Sequence, residues 1–208
     1  MSLESMIAII QKRWGKEGKG QLLWTDSNYK NWKDRTGDDF SNKPPRRGWA
    51  LVSKDLLPES TNKNYIEQTE VIIKALREKA FKDIEMPDEY EEAIHEFEAN
   101  KDRLTKLMDE NWQEAAKELS ELKINQLARC SIQETIYDLA MYYDKNGTRL
   151  LPDKHTWSNS RSPDGELVYL GRFGSGGVLG TRWTPDGRRG ALGVSLSLRH
   201  GSGQARRR

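Results

Sequence analysis

Hydrophobic residues in the first 150 positions recur mostly every three or four residues, which is the spacing typical of amphipathic helices. A first run, from Leu3 to Trp14, ends near Gly18 and predicts an N-terminal helix. A second run predicts a helix from about Asn62 to Phe81, with its apolar side chains on one face. We therefore expect this part of the chain to fold mainly as helices.

The longest helical pattern follows Pro87, a residue that fits the first turn of a helix. Apolar residues continue at this spacing from Tyr90 to Leu122, and charged residues fill the other faces. Such a seam leaves two outcomes open: a coiled-coil arm over residues 88–122, or an amphipathic helix packed against its own domain. The second outcome is the commoner one.

A further helix begins with Ser131-Ile-Gln-Glu134, which is a capping box. In a capping box the Ser and Glu side chains accept hydrogen bonds from backbone N–H groups that the first helical turn leaves unpaired. The helix is predicted to stop at Asn146-Gly147, because glycine readily adopts the left-handed conformation that ends many helices.

After Leu150 the spacing of apolar residues changes to two, which indicates strands. An earlier short strand is predicted at Trp49–Val52, after a proline-containing turn at Ser41–Arg47. A strand, then helices, then several short strands predict an α+β fold. The C-terminal strand candidates are His155–Asn159, Leu167–Leu170, Gly177–Arg182 and Leu192–Leu198, with turns at Asp164-Gly165 and Asp186-Gly187.

The C-terminal quarter also differs from the rest in composition. All 17 lysines lie at or before Lys154, whereas 11 of the 17 glycines lie after it. Between Leu167 and Arg199 there is no Lys, Glu, Gln or Met. From His155 onward nine arginines oppose three acidic residues, which gives +6, while the preceding residues carry 25 basic and 29 acidic groups, which gives −4. Such an asymmetry can mark an interacting end of a chain.

In the C-terminal quarter, segments with a regular pattern are separated by residues that follow no pattern. This arrangement favours a fixed scaffold that carries interchangeable positions. Glycine-rich strands and turns that simply use few lysines would explain the composition equally well. The regular segments are Trp157–Arg161, Gly165–Val168, Gly171–Phe173, Gly177-Val178, Trp183–Pro185 and Ala191–Val194.

The segment WSNSRSPDGELVYLGRFGSGGVLGTRWTPDGRRGALGVSLSL resembles the variable region of the variable proteins of diversity-generating retroelements. The upstream sequence GWALVSKDLLPESTNKNYIEQTEVI is similar to archaeal-type members of that family. In such systems a reverse transcriptase copies a template with errors at adenines, and the copy replaces the 3′ end of the gene. An AAC codon randomised in this way encodes fifteen amino acids but not Lys, Glu, Gln, Met or Trp. The missing residue types fit that rule, with Trp183 as a fixed residue.

The resemblance implies a C-type lectin fold, which is an α+β fold with a small antiparallel sheet and packed helices. It implies that a strand near Trp49 pairs with a strand near Leu192–Leu198, and that the variable segment lies across one exposed face of the same sheet. The implied organisation is an N-terminal extension at 1–47, a lectin-like domain at 48–200 with a helical insertion near 86–125 and a variable region near 157–198, and a disordered tail at 201–208.

The resemblance further implies a non-enzymatic binding protein whose C-terminal face presents diversified residues to a ligand. A protein ligand is expected, because Arg and Tyr anchor protein interfaces well. The frame residues that would hold this face rigid are Trp157, Arg161, Val168, Phe173, Val178, Trp183 and Leu192. The candidate ligand contacts are Asn159, Tyr169, Arg172, Ser175, Leu179, Thr181, Arg182, Thr184, Arg188, Arg189 and Ala191.

Other kinds of site find little support in the sequence. Cys130 is the single cysteine, so an intramolecular disulfide and a cysteine-based zinc site are excluded, and no local signature pairs it with a histidine. The segment Trp183–Asp186 lacks the ligand set of lectins that bind sugar through calcium. We expect no enzyme activity, no metal and no cofactor.

The chain shows no signal peptide and no run approaching the ~18 apolar residues of a membrane span. We therefore expect a cytoplasmic protein without a membrane partner, and a monomer is favoured. The alternative function is a nucleic-acid-binding module, in which the Arg-rich C-terminal end contacts phosphates. Few aromatic residues and no lysine accompany the four arginines that would form its basic patch, which are Arg172, Arg182, Arg188 and Arg189.

Overall fold

The computed structural model describes residues 2–24, 44–46 and 48–199. Of these described residues, 48% are helical and 17% lie in strands, which confirms the expected α+β class. The described helices are α1 (Leu3–Glu17), α2 (Tyr65–Ala75), α3 (Asp88–Glu110), α4 (Trp112–Glu121), α5 (Lys123–Ala128) and α6 (Ile132–Asn146). The described strands are β1 (Ala50–Val52), β2 (His155–Arg161), β3 (Leu167–Gly174), β4 (Gly177–Trp183), β5 (Leu192–Gly193) and β6 (Ser197–Arg199).

Three helices begin and end close to where their sequences predict. Ser2 caps the start of α1, and Gly18 ends it in the left-handed conformation. The Ser131 capping box starts α6, and left-handed Gly147 ends it. Helix α2 starts slightly later than expected, because the Asn64 side chain forms a second capping box there. It runs on through a π-helical turn at Leu76–Ala80, so the helical segment ends near the predicted limit.

The long apolar seam does not form one helix. It breaks at Asn111, whose backbone leaves the helical conformation and whose side chain accepts a hydrogen bond from the Glu114 N–H to start α4. Helices α4 and α5 pack back against α3. The seam residues Tyr90, Phe97 and Leu104 are buried in the core of their own chain. The packed-helix outcome is therefore confirmed, and the coiled-coil arm is wrong.

The strands form two sheets. Strand β1 pairs antiparallel with β6, which places Leu51 opposite Leu198. This is the expected pairing between the early strand and the C-terminal strand. The other sheet has the order β4-β3-β2-β5 and holds the remaining C-terminal strands. The expectation that the variable segment shares a sheet with the strand near Trp49 is therefore wrong, because the chain leaves one sheet after Gly193 and enters the other at Ser197.

The two faces of the four-stranded sheet pack against different helices. Side chains alternate between the faces along a strand, and the register places Tyr169 between Trp157 and Thr181 on one of them. What we call the closed face packs with α1 and α6 in one hydrophobic cluster. What we call the open face packs with α2–α5 in another, over part of its area. The closed face carries Val168, Leu170 and Val178, and the open face carries His155, Trp157, Tyr169, Leu179, Thr181 and Trp183.

The N-terminal segment belongs to the core beneath the closed face. All of the periodic apolar residues of α1 from Leu3 to Trp14 are buried. Leu23 forms a parallel bridge with Val178 at the edge of β4. The predicted turn at Ser41–Arg47 falls mostly outside the described residues, and the predicted tail at 201–208 falls wholly outside them. Among the described helices, none is both long and apolar enough to cross a membrane.

Candidate functional site

The residues assigned to a fixed frame are mostly core residues. Five of the seven are at most 1% exposed, and they are divided between the two hydrophobic clusters. Arg161 and Trp183 are partly buried, and Arg161 lies 3.5 Å from the Glu121 carboxylate. The five core residues are Trp157, Val168, Phe173, Val178 and Leu192.

Two of the candidate ligand contacts are buried, and we correct them. The Asn159 amide donates hydrogen bonds to the backbone oxygens of Asn125 and Arg129, at 3.4 and 3.3 Å, which hold it in the interior. Tyr169 is 3% exposed and lies edge-on between the rings of Trp157 and His155. Both side chains support the sheet, and neither belongs to an exposed surface.

The candidates in β4 do not share one face. Thr181 lies on the open face, so its neighbour Arg182 points to the other side of the sheet. There the Arg182 guanidinium lies 2.7 Å from the Asp164 carboxylate and 2.5 Å from that of Glu166. Arg182 is therefore removed from the open face. The remaining candidates keep partial or full exposure; they are Arg172, Ser175, Leu179, Thr181, Thr184, Arg188, Arg189 and Ala191.

Residues 184–191, which we call the return loop, connect β4 to β5 beside the open face. Their backbone is anchored by main-chain hydrogen bonds to the fixed parts of the domain, and their own side chains are not needed for these bonds. Arg188, Arg189 and Ala191 are exposed. The anchoring bonds are Tyr65 N–H to Pro185 O at 2.9 Å, Asn62 N–H to Arg189 O at 2.9 Å, His155 N–H to Ala191 O at 2.7 Å and Leu192 N–H to Arg189 O at 3.1 Å.

The first half of the return loop is a tight turn that covers Trp183. The Gly187 N–H donates to the Thr184 oxygen at 3.0 Å, and Pro185 occupies a position that proline favours in such turns. A Cβ at Gly187 would lie 2.6 Å from the Trp183 ring, so glycine is required for this close approach. The Arg189 guanidinium lies 4.5 Å from the centre of the same ring, within cation–π distance.

A bulge in β3 contains Arg172, next to the Gly171 that pairs with His155. The pairing with β4 shifts register between Gly171 and Gly174, and Arg172 has a φ of 41°, in the left-handed region. Its side chain is exposed. The adjoining hairpin tip is fixed to the N-terminal segment, because the Trp24 N–H donates to Val178 O at 3.0 Å.

His155 occupies the centre of this arrangement, a role that the sequence did not indicate. It pairs with Gly171 on one side and with Leu192 on the other, so the bulge and the end of the return loop flank it. Burial, together with the charges of Arg172 and Arg189, lowers the pKa of the imidazole to about 4. Its Nε2 atom is buried and has no hydrogen-bond partner among the described residues. The one signal in the sequence is that His155 begins a predicted strand.

The four arginines of the hypothetical basic patch are not equivalent. Arg182 is paired with Asp164 and Glu166, as described, and Arg188 is paired with Glu67. Arg172 and Arg189 have no ion pair among the residues that the structure describes. Among these four arginines, the unpaired positive charge is thus carried by Arg172 and Arg189.

Comparisons of this chain with protein-family models, curated proteins and solved structures find no match.

Cys130 is arranged as a core side chain. Its sulfur is buried and lies 3.8 Å from the Asp138 carboxylate. Burial raises the pKa of the thiol to about 12, with a further contribution from the Asp138 and Glu134 charges, so the reactive thiolate is not formed near neutral pH. Burial also raises the pKa of Asp138 to about 6. Within the described ranges, no group of three or more His, Cys, Asp or Glu side chains is placed to hold a metal.

Proposed function

We propose that this protein is a non-enzymatic binding protein whose open face and return loop display variable side chains to a ligand, which is a protein. The main support is the anchoring of the return loop. Its backbone is fixed by hydrogen bonds from Asn62, Tyr65, His155 and Leu192, whereas the side chains of Arg188, Arg189 and Ala191 are exposed and make none of these bonds. Side chains can therefore be exchanged there without loss of the bonds that define the loop.

A rigid backbone suits a surface whose sequence changes. A flexible loop loses conformational entropy when a ligand orders it, and each new sequence would meet that cost again. In the return loop and at the hairpin tip the backbone is ordered by the rest of the domain before any ligand is present. The division between a buried frame and exposed contact positions also agrees with this function.

The family proposal is a C-type lectin fold of the kind found in the variable proteins of diversity-generating retroelements. Two observations support it. The early strand β1 pairs with the C-terminal strand β6, which is the long-range pairing that the resemblance implies. The stretch from Leu167 to Arg199 lacks the residue types that an adenine-randomised AAC codon cannot encode, apart from Trp183, which packs partly within the core cluster.

Nucleic-acid binding is less well supported by the surface. Two of its four arginines already pair with carboxylates, which lowers the charge available for phosphates. One side of the Trp183 ring lies against Gly187, and the Arg189 guanidinium lies near the same ring. This tryptophan is therefore poorly placed for the base stacking that single-stranded nucleic acids use.

The proposed function is tested by sequencing this locus in many isolates, together with its neighbouring DNA. We expect amino-acid substitutions to concentrate at the exposed candidates, to spare the frame residues, and to coincide with adenines in a nearby near-copy of the Trp157–Leu198 coding segment. A reverse-transcriptase gene is expected beside it. Substitutions spread evenly over frame and surface, or unrelated to adenines, would overturn the proposal.

A further inference from the structure

We propose that two copies of this chain associate through strand β1, which pairs antiparallel with β1 of the second copy about a two-fold axis at Leu51. Strand β1 lies at the edge of the two-stranded sheet, and β6 pairs with only one of its sides. The proposal goes beyond the display function, because it concerns a surface apart from the open face and the return loop. The expected monomer is the alternative that the test must exclude.

The hydrogen bonds of β6 show which backbone groups of β1 point outward. In an antiparallel pair, only every second pair of facing residues is joined by hydrogen bonds. Arg199 faces Ala50, but its backbone N–H and oxygen are both bonded to the Tyr90 hydroxyl, at 3.0 Å. The next pair, Leu51 with Leu198, is therefore the one that bonds across the sheet.

The N–H and C=O groups of Ala50 and Val52 consequently point away from β6. No hydrogen bond joins these groups to another described residue. No charged residue or proline interrupts the three residues of β1, and an unprotected edge of this kind is a template for a further strand.

The side chains beside this edge expose apolar surface. Trp49, directly before β1, is 95% exposed, and Leu51 is 76% exposed. They are two positions apart in an extended segment, so they lie on the same face of it. Large apolar side chains that lie together on a protein surface mark interaction sites.

Two-fold symmetry lets this edge pair with its own copy. If Leu51 faces Leu51 of the second copy, then Ala50 faces Val52 of the second copy, and these are the residues whose backbone groups are free. The two Leu51 side chains then form a closely spaced pair without hydrogen bonds, with one Trp49 on each side of them. Most homo-oligomers use a self-complementary surface of this kind.

The same register brings opposite charges together. It places Lys54 of one copy opposite Gly48 of the other. Gly48 and Asp138 line one groove of about 560 Å³, and even a Cβ at Gly48 would meet no atom within 4 Å. Lys54 is exposed and Asp138 is partly exposed, and neither forms an ion pair with a described residue. Each copy thus offers the other an unpaired ammonium and an unpaired carboxylate.

Sedimentation velocity over roughly 5–500 μM tests the association, because a short strand pair has the small area of a weak interface. We expect the average mass to rise with concentration from that of one chain, 24.0 kDa, toward that of two. Leu51→Lys places two like charges at the two-fold axis and should weaken association at least tenfold, by an order-of-magnitude estimate. Ile84→Lys is the matched control, since Ile84 is 65% exposed and lies between α2 and α3. It should associate as the parent does.

Cross-linking tests the register. Leu51→Cys should form a disulfide between two copies on mild oxidation, because facing residues in a pair without hydrogen bonds lie close enough for an S–S bond. Ile84→Cys introduces a thiol of similar exposure away from β1 and should remain uncross-linked. The native thiol of Cys130 is buried.

The charge contact is tested by Lys54→Glu, which faces Asp138 of the second copy with a like charge and should weaken association roughly fivefold. Lys82→Glu makes the same change at an exposed position between α2 and α3 and should have no effect. Thermal melting confirms that each variant is folded. A parent chain that keeps the mass of one copy throughout, a Leu51→Lys variant that associates as Ile84→Lys does, or equal cross-linking of the two cysteine variants would overturn the proposal.

Discussion

The two faces of the four-stranded sheet show how one small sheet serves both stability and recognition. On the closed face Val168, Leu170 and Val178 are at most 1% exposed and pack with helices from both ends of the helical region. On the open face Trp157 and Tyr169 are buried, but Leu179 and Thr181 in the outer strand remain partly exposed. The covering helices thus reach only part of this face, and the uncovered part lies beside the return loop.

The two faces differ in the interactions that fix the backbone. Side-chain packing holds the closed face, so its residues cannot change without loss of contacts. Main-chain hydrogen bonds from Asn62, Tyr65 and His155 hold the return loop at the rim of the open face. Positions fixed through the main chain tolerate a change of side chain, and positions fixed through packing do not.

The largest expected loss of stability follows a substitution in the hydrophobic cluster of the closed face. Phe173 is fully buried and contacts the rings of Trp14 and Tyr143, with centroids 6.2 and 5.8 Å away. Phe173→Ala should lower the free energy of unfolding by ~3–5 kcal/mol, because it leaves a cavity that the neighbours cannot fill. Leu179→Ala on the open face is the comparison variant and should cost clearly less. Urea denaturation of both variants measures the difference, and equal losses would contradict the distinction between the faces.

A smaller loss of stability is expected from a substitution where the return loop packs on the sheet. Gly187→Ala places a methyl group 2.6 Å from the Trp183 ring, so the turn or the ring must move. We expect a loss of ~1–3 kcal/mol, the range for overpacking. Gly190→Ala is the matched control in the same loop, since a Cβ there meets no atom within 4 Å. If both variants melt at the same temperature, the loop does not pack on Trp183 as described.

The pH dependence of stability should report the burial of His155. Its pKa of about 4 in the folded protein lies below the ordinary value of 6.5, so the unfolded chain binds a proton more readily between these values. This contribution to stability is complete above pH 6.5 and is lost as the pH falls toward 4. His155→Gln should therefore melt with a weaker dependence on pH over that window.

His95→Gln is the control for this measurement, because the His95 side chain is 81% exposed. It should keep the pH dependence of the parent protein. A His155→Gln variant whose melting temperature follows pH as steeply as the parent would show that the imidazole is not held neutral by its surroundings.

The smallest effect is expected from the triple change of Arg182, Arg188 and Arg189 to Ser. Exposed substitutions usually cost within about 0.5 kcal/mol each, and exposed ion pairs contribute little. Arg182 is the least exposed of the three, with 29% of its side chain accessible, so most of the loss should come from that position. Thermal melts of the triple variant and of each single variant test this ranking. Unfolding of the single Arg188 or Arg189 variant would mean that these side chains, and not the main chain, hold the loop.

The sequence predicts best where a local pattern determines structure. The Ser131 capping box and the glycine at 147 mark both ends of α6, because each acts within a few residues. The break at Asn111 was missed, since apolar residues continue at helical spacing on both sides of it. An asparagine can cap a helix or lie within one, and only the packing of α4 against α3 decides between the two.

The candidate site was predictable in outline but not in detail. Alternation along β4 separates Thr181 from Arg182, and this could have been used before the structure was known. The partners of Arg182 and Arg188 depend on strand register and on the position of α2, which the sequence does not show. The hydrogen bonds that anchor the return loop join main-chain atoms, so the residue types in the sequence do not reveal them.

The left-handed backbone at Arg172 limits what a mutational process could deliver at that position. A φ of 41° disfavours ordinary side chains by ~1–2 kcal/mol, disfavours β-branched ones more, and is accepted readily by glycine and asparagine. If codon 172 is randomised, codons for isoleucine, valine and threonine would arise there as often as at other randomised positions. Fewer of the proteins that carry these residues at position 172 would fold well. The number of variants written in DNA would then exceed the number present as stable protein, and the shortfall would be largest at this one bulge.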